Sequence, residues 1–327
     1  MIPVYRSLAD IGPEIGPSAV SIGNFDGVHT GHQAIFRRLV QVAAHLGLKS
    51  TVLTFNPHPT RVVAPERAPK MLSTPAQRYA LMEDIGIEQI VELPFTEAIS
   101  HLSAEAFVRE ILLEKLQTRA VLVGSNFRFG HRQAGDIHVL QAMGAAFGIE
   151  VEIVNGVKIR RHLVSSTEIR NAIAQGNVSL ACRMLGRPYS IEGDVVPGHG
   201  IGSKKTVPTL NLRTDAEVLP ANGVYITRTE NLRDGQKWPS ITNIGMRPTF
   251  DGDALTIETY LLAPIEGMSP ERIRIEFLKR VRDERKFPSA EALKAQIMKD
   301  VQRAQSYFRR TALILKVNPQ SKDKESL

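Results

Sequence analysis

The sequence predicts an α/β protein in which a parallel sheet is followed by a small antiparallel β-barrel and a C-terminal helix. Up to about residue 185, short apolar runs rich in β-branched residues alternate with runs of helical spacing. Beyond that point the β runs are separated by Gly, Pro, Asn and Asp, which is typical of a small antiparallel barrel or sandwich. We therefore expect one domain at 1–185, a second at 186–315 and a polar tail at 316–327.

The first half alternates candidate strands with candidate helices. Helical spacing follows the first run, and Thr74-Pro75 with Gln77 reads as a helix start, as does Ser103. The expected strands are 19–23, 50–55, 88–93, 119–124 and 151–154. Strands joined by crossover helices run parallel, so their carboxyl ends should share one rim of the sheet.

The second half changes its periodicity. The stretch 272–277 alternates isoleucine and phenylalanine with charged residues, which indicates a strand in a sheet that has one buried face and one face exposed to solvent. After Pro288-Ser289 an amphipathic helix is expected to about Arg309. Its predicted barrel-facing residues are Leu293, Ile297, Val301 and Ala304.

Composition narrows the class of protein. The 327 residues are 43% hydrophobic and 23% charged, no apolar run is long enough to span a bilayer, and the one cysteine excludes an internal disulfide. We expect a cytoplasmic protein with no membrane partner. The net charge of +7 is spread along the chain, which favours phosphorylated substrates over nucleic acid. Oligomeric state is left open.

The stretch GNFDGVHTGH at 23–32 joins the first strand to the first helix. Its glycines let the backbone approach a ligand, and a helix N-terminus attracts phosphate. His29 and His32 are suited to donating hydrogen bonds to phosphate oxygens as charge develops. A tight turn whose histidines only cap the helix is the alternative.

Polar residues also follow other strands on the expected rim. The loop NPHP comes after the second strand, and SNFRFG comes after the strand at 119–124. In VSSTEIR, Ser165 and Glu168 have capping-box spacing, which leaves Ser166, Thr167 and Arg170 for a phosphate seat at a helix start. Each loop could equally be a rigid, solvated turn.

GNFDGVHTGH and SSTEIR together resemble the signatures of the nucleotidyltransferase superfamily, and in this form the bacterial bifunctional riboflavin kinase/FMN adenylyltransferase family. The resemblance implies a Rossmann-like N-terminal adenylyltransferase domain. It implies catalytic roles for His29, His32 and Arg170. It implies ATP or phosphate binding by Gly23, Asn24, Phe25, Asp26, Gly27, Ser166 and Thr167, and flavin binding by Asn56, His58, Asn126 and Arg128.

In the second half, VPTLNL is similar to the GFPTAN element of that family's kinase domain. The resemblance implies that Thr209 and Asn211 hold Mg²⁺ with ATP, and the nearby basic residue Lys204 is the candidate phosphate contact. It also implies that Glu258 takes the proton of the riboflavin hydroxyl, although its position alone fits a solvent-facing strand residue. Thr206-Val207 stand where the family has Gly-Phe, a departure that bears on kinase competence.

The implied function is FAD synthesis. ATP would phosphorylate riboflavin to FMN, and a second ATP would adenylylate FMN to FAD with release of pyrophosphate. Mg²⁺ is the implied cofactor and ATP the co-substrate; riboflavin and FMN are the other small-molecule partners. Two alternatives remain: an FMN adenylyltransferase with a weakened kinase, and a flavin- or nucleotide-responsive binding protein without turnover.

Overall fold

The computed structural model describes residues 1–197, 209–249, 252–265 and 267–317. The chain forms two compact units. The first contains Met1–Glu168 and Met184–Gly186, and the second contains Ile169–Arg183 and the chain from Arg187 onward. Within the described part of the chain, no helix combines the length and the apolar character that a membrane span requires.

The first unit is built on a parallel sheet of six strands in the order β1-β4-β3-β2-β5-β6. The predicted parallel sheet is confirmed, and of its six strands only the two-residue β1 was not predicted, because so short a strand has no periodicity. The strands are β1 Val4–Tyr5, β2 Ser18–Ile22, β3 Lys49–Phe55, β4 Gln89–Leu93, β5 Thr118–Gly124 and β6 Glu150–Val154. A small separate hairpin consists of β7 Lys158–Ile159 and β8 His162–Leu163.

Helices connect these strands and cover both faces of the sheet. The segment after Ser103 begins as an α-helix and continues as a π-helix over Phe107–Lys115. The α-helices are α1 Thr30–Leu46, α2 Pro59–Val63, α3 Pro75–Ile85, α4 Glu97–Ser100, α5 Ala104–Ala106 and α6 Ile137–Phe147. Further on, α7 Ser166–Ala174 and α8 Val178–Leu185 follow the hairpin.

Apolar side chains fill the space on both faces of this sheet. Val20 and Ile22 of β2 contribute to one buried cluster, while Ala19 of the same strand contributes to the other. Alternate strand residues therefore face opposite helix layers, which is the burial that all-parallel sheets require. This packing fixes the strand ends and the rim of loops beyond them.

The second unit contains a closed antiparallel barrel in the order β10-β13-β12-β11-β14-β9. Ile273, Ile275 and Phe277 are fully buried, as the alternation in this stretch predicts. The strands are β9 Tyr189–Val196, β10 Thr209–Arg213, β11 Gly223–Asn231, β12 Lys237–Thr249, β13 Gly252–Leu261 and β14 Arg272–Arg282. The C-terminal helix α9 spans Ala290–Val317.

The barrel-facing side of α9 differs in part from the expected one. Val301 and Ala304 are buried in a cluster with residues of β11 and β12, as predicted. Leu293 and Ile297 are 42% and 40% exposed, so the prediction for them is wrong. In that first part of the helix the buried positions are polar: Asp300 accepts a hydrogen bond from Arg282 Nε at 2.9 Å and Gln296 bonds Asp300. In that part of α9, the side that is buried carries the polar residues that pair with Arg282, not the apolar residues with helical spacing.

Candidate active sites

The loop between β2 and α1 has an unusual backbone. Phe25 and Val28 have φ values of 49° and 39°, a left-handed conformation that costs non-glycine residues about 1 kcal/mol or more. Phe25 is buried, and its ring lies 4.7 Å from that of Phe36 in α1. Gly27 has a φ of 77°, which glycine adopts without strain. The loop is therefore held in this shape by its packing.

The side chain of Asp26 holds the same loop in place. Its buried carboxylate accepts hydrogen bonds from Leu72 N at 3.0 Å, Ser73 N at 3.2 Å and Ser73 Oγ at 3.3 Å. Gly27 N donates to Ser73 Oγ at 3.0 Å. The side chain of Asp26 thus ties the loop to residues 72–73, a structural function that the sequence motif did not indicate.

The two histidines of the loop stack on each other. Their ring centroids are 3.5 Å apart, and His29 caps α1 by accepting a hydrogen bond from His32 N through Nδ1 at 3.2 Å. Because Nδ1 accepts, a neutral His29 ring carries its proton on Nε2. Burial, and secondarily the neighbouring His29, lowers the pKa of His32 well below its usual value. His32 is therefore a neutral group at pH 7.

Gly31 lets the two rings approach the helix. A Cβ atom at this position would stand 3.1 Å from the Cε1 and Nδ1 atoms of His29. Such contacts are tighter than ordinary side-chain packing. The glycine between the histidines thus leaves room for the ring of His29. Capping of α1 involves only Nδ1 of that ring, so it does not account for Nε2.

The start of α7 connects to the same loop. Ser165 Oγ caps the helix by accepting from Glu168 N at 3.2 Å, and Ser166 Oγ donates to the backbone oxygen of Asp26 at 2.9 Å. Thr167 is exposed. Arg170 lies one turn further along the helix. The Ser166 hydroxyl therefore already has a partner within the protein, and it ties the start of α7 to the loop of the histidines.

The NPHP loop follows β3 and contacts the loop of the histidines. The Asn24 amide lies 3.1 Å from His58 Nε2, and His58 Nδ1 accepts from Thr60 N at 3.3 Å. Asn56 Nδ2 donates to Glu92 Oε2 of β4 at 3.5 Å. The structure thus brings together the predicted residues Asn24, Asn56 and His58 at the ends of neighbouring strands.

The SNFRFG loop after β5 is anchored by its aromatic residues. Phe127 and Phe129 stack with centroids 5.5 Å apart, and Phe129 is buried. Asn126 and Arg128 are exposed, and Arg128 forms a 3.1 Å ion pair with Asp136. The backbone amide of Val139 is the main cause of a lowered pKa at Asp136. The loop therefore has a fixed base and accessible polar side chains.

A second polar group lies on the outer face of the barrel. Cross-strand register places Asn211 of β10 directly opposite Glu258 of β13, and Glu258 directly opposite Asn243 of β12. Thr209 is two residues from Asn211 and has the same orientation, because Leu210 between them is buried. Directly opposed side chains lie about 5 Å apart at Cβ. Thr209, Asn211 and Glu258 are therefore neighbours on one face of the barrel.

Sequence reasoning missed Glu284, which lies against this row. A Cβ atom on Gly245 would stand 2.1 Å from Glu284 Oε1 and 3.3 Å from Asn243 Nδ2. Asn222 Nδ2 donates to Glu284 Oε2 at 3.4 Å. A second carboxylate thus occupies the space that Gly245 leaves open. Lys204 and Thr206-Val207 lie outside the described residues.

Comparison with known proteins matches both units. A family model described as FAD synthetase matches residues 13–168, and one described as riboflavin kinase matches residues 185–308. A bifunctional riboflavin kinase/FMN adenylyltransferase from Pseudomonas fluorescens is 38% identical over 93% of this chain and 97% of its own length. Its counterparts from Haemophilus influenzae and Escherichia coli K12 are 33% and 32% identical, over 93% and 88% of this chain and 99% and 92% of their own lengths.

A solved structure shows the same fold. The crystal structure of a protein described as a macrolide-efflux protein from Streptococcus pneumoniae has a TM-score of 0.82 and 30% identity. The match covers 92% of this chain and 98% of that one. The chain belongs to the bacterial family of bifunctional riboflavin kinase/FMN adenylyltransferases, the enzymes that make FAD from riboflavin in two ATP-dependent steps.

Proposed function

We propose that each unit carries one of the two reactions and that the residues brought together in each unit perform it. The observation that supports this is the presence of two chemically different polar sites. One has two stacked imidazoles at a helix N-terminus, and the other has a carboxylate in a row with two amides. The first suits binding of a developing anion, and the second suits removal of a proton from an alcohol.

In the adenylyl step, a phosphate oxygen of FMN attacks the α-phosphorus of ATP. The bond to the bridging oxygen breaks, and pyrophosphate leaves. His29, through Nε2–H, and His32 donate hydrogen bonds to the phosphate oxygens, and Thr167 with the start of α7 binds the leaving pyrophosphate. FMN is itself the nucleophile, so the enzyme needs only to orient and stabilise.

The remaining predicted residues bind substrates around this centre. Gly23, Gly27 and the Phe25 backbone line the nucleotide loop, and Asn24 contributes its amide. The flavin is bound by Asn56, His58, Asn126 and Arg128, and a guanidinium suits the FMN phosphate. Asp26 and Ser166 act by holding the loop in place, since their polar atoms bond protein groups.

In the kinase step, the terminal hydroxyl oxygen of riboflavin attacks the γ-phosphorus and ADP leaves. Glu258 accepts the hydroxyl proton. Asn243 and Glu284 hydrogen-bond the remaining hydroxyls of the ribityl chain, because amides and carboxylates are suited to polyols. Lys204 is the proposed phosphate contact.

The donor set on β10 and β13 fits Mg²⁺. Thr209 and Asn211 supply a hydroxyl and an amide oxygen on the same face as Glu258, and Mg²⁺ prefers a few protein oxygens with substrate phosphates completing its shell. Bound there, the ion would neutralise phosphate charge. We propose the same requirement for the adenylyl step.

The proposed domains are 1–185 for the adenylyltransferase and 186–315 for the kinase, with a tail at 316–327 and a cytoplasmic location. One experiment tests the assignment of both activities. The protein is incubated with riboflavin, ATP and Mg²⁺, and the flavins are separated by chromatography. FMN and FAD together support the proposal. FAD formed only from added FMN would leave a weakened kinase, and no conversion of either flavin would contradict both assignments.

A further inference from the structure

A buried ion pair lies beneath the two loops of the adenylyltransferase unit. Arg78 of α3 and Glu92 of β4 have side chains only 4% and 6% exposed, and Arg78 Nη2 is 3.8 Å from Glu92 Oε1. Removing two charges from water is costly, and an apolar pair of the same size is often at least as stable. Stability alone therefore gives a weak reason for this pair.

The pair connects to both loops through hydrogen bonds. On one side Arg78 Nη1 donates to Ser73 O at 3.2 Å, and Ser73 N donates to Asp26 at 3.2 Å. On the other side Glu92 Oε2 accepts from Asn56 Nδ2 at 3.5 Å. These contacts thus connect the loop between β2 and α1, which contains Asp26, to the NPHP loop, which contains Asn56. Both loops belong to the first unit.

The polar groups around the ion pair make few hydrogen bonds. Among the residues that the structure describes, Arg78 Nε, Glu92 Oε1 and the Tyr79 hydroxyl are buried without a hydrogen-bond partner. Thr54, which is directly opposite Glu92 across β3 and β4, also has a buried hydroxyl of this kind. Burial, and then the carboxylate of Glu92, raises the pKa of Tyr79. Such a network retains its charges at a cost in stability, which is typical of groups kept for a role in the site.

We propose that Arg78 and Glu92 are positioning residues for adenylyl transfer, which hold Asn56 against the flavin while fixing its distance from the Asp26 loop. The inference rests on the proposed adenylyltransferase site. Asp26 keeps its bonds to residues 72–73 when the pair is lost, whereas Asn56 loses its acceptor. Loss of the pair should therefore weaken FMN use more than ATP use.

The test uses the full chain and the double variant Arg78→Met with Glu92→Leu, which replaces both charges by apolar groups. We expect the KM for FMN to rise about tenfold and the KM for ATP to change less than about threefold. The unfolding midpoint should stay within about 4 °C of the parent, since neither charge is left unpaired. Riboflavin phosphorylation by the same molecules is the internal control and should be unchanged.

Glu88→Gln is the matched control for the carboxylate. Glu88 directly precedes β4, away from Glu92, and accepts hydrogen bonds from Ser50 N and Oγ at 2.8 and 3.0 Å. It should leave the KM for FMN unchanged. A double variant with a parental KM for FMN, at any unfolding midpoint, would overturn the proposal in favour of a purely structural pair.

A second variant covers the case in which the double variant does not fold. Glu92→Asp keeps a negative charge for Arg78 but shortens the side chain by one methylene and draws the carboxylate away from Asn56 Nδ2, so the KM for FMN should rise about threefold. An unchanged KM there overturns the proposal. Failure of the underlying site is distinguishable, because His29→Asn would then still make FAD, whereas failure of the positioning role leaves His29→Asn inactive.

Discussion

The two candidate active sites place their reactive groups by different means. In the first unit, His29, Asn56 and Asn126 lie on loops beyond the carboxyl ends of parallel strands. In the second, Asn211 and Glu258 lie on the paired strands themselves, and the register of β10 and β13 puts them side by side. Loops offer reach around two substrates, whereas strands offer fixed spacing.

The difference shows in what each site needs for support. The nucleotide loop contains left-handed Phe25 and Val28 and is held by buried bonds from Asp26. The strand row needs no such ties, because ladder hydrogen bonds already fix its spacing. We therefore expect changes around the first site to act through loop placement and changes at the second to act directly on the reaction.

The largest expected effect comes from His29→Asn. Asparagine is a good N-cap and preserves the cap of α1, but it removes the Nε2 donor. FAD formation should fall by about 10² or more, as for loss of one preorganised donor. FMN formation should be unchanged, and chromatography of both flavins measures the two rates.

His29→Ala separates capping from donation. It should lose FAD formation equally and also lower the unfolding free energy by about 1 kcal/mol, the cost of a lost cap. Near-parental FAD formation in His29→Asn, or an equal fall of both activities, would break the proposed division between units.

Glu258→Gln should produce the opposite pattern. It removes the proposed proton acceptor but keeps an amide of the same shape, so FMN formation should fall by about 10² or more. FAD formation from supplied FMN should stay near the parental rate. Glu276→Gln is the control, because Glu276 is another barrel carboxylate that is ion-paired with Arg228. Unchanged riboflavin phosphorylation in Glu258→Gln would show that Glu258 is only a strand residue facing solvent.

The sequence predicted the strands and helices that carry both sites, but only some of the contacts that hold the site residues in place. Strand runs and a helix start such as Thr74 are local signals, and the structure has the capping box there. The placement of Asn211 beside Glu258 follows from barrel register, for which the sequence has no local pattern; the family resemblance implied only the separate roles of the two residues.

Residues that act through tertiary contacts left no such signal. Arg78 and Glu92 have ordinary positions in a helix and a strand, and their pairing depends on how α3 packs on the sheet. Glu284 lies on a polar segment after β14, and only the open space at Gly245 reveals its neighbour Asn243. Leu293 and Ile297 had the right spacing for burial, yet the ion pair of Arg282 with Asp300 decides how α9 lies on the barrel.

The neutral His32 gives the first site a pH signature. Its folded pKa lies below the unfolded value of about 6.5, so the unfolded chain binds more protons below that pH. Stability from this group is therefore complete above about pH 6.5 and is lost as the pH falls, by at most about 1.4 kcal/mol per pH unit. Unfolding measured between pH 5 and 8 should show a smaller loss in His32→Gln.

One outcome would contradict this assignment. If His32→Gln loses as much stability as the parent between pH 7 and pH 5, His32 is not the group that resists protonation.

The smallest expected effect tests whether the barrel row extends to Glu284. Gly245→Ala would put a methyl group where Glu284 Oε1 now lies, and the exposed Glu284 side chain can move away at little cost to folding. Glu284→Gln removes the charge and leaves the backbone untouched. Because both displace or weaken one acceptor for ribityl hydroxyls, both should raise the KM for riboflavin about threefold to fivefold with the KM for ATP unchanged.

Agreement between these two variants is the informative result, since they alter the same carboxylate from opposite sides. Asp283→Asn is the matched control, because its carboxylate pairs with Arg280 instead. A rise with Gly245→Ala alone would mean that the methyl group obstructs the row, and Glu284 would then have no part in binding. A higher KM for riboflavin in both variants would show that the kinase site, whose other residues lie on strands, also uses a residue from a loop. The two sites would then differ less in how they place their residues.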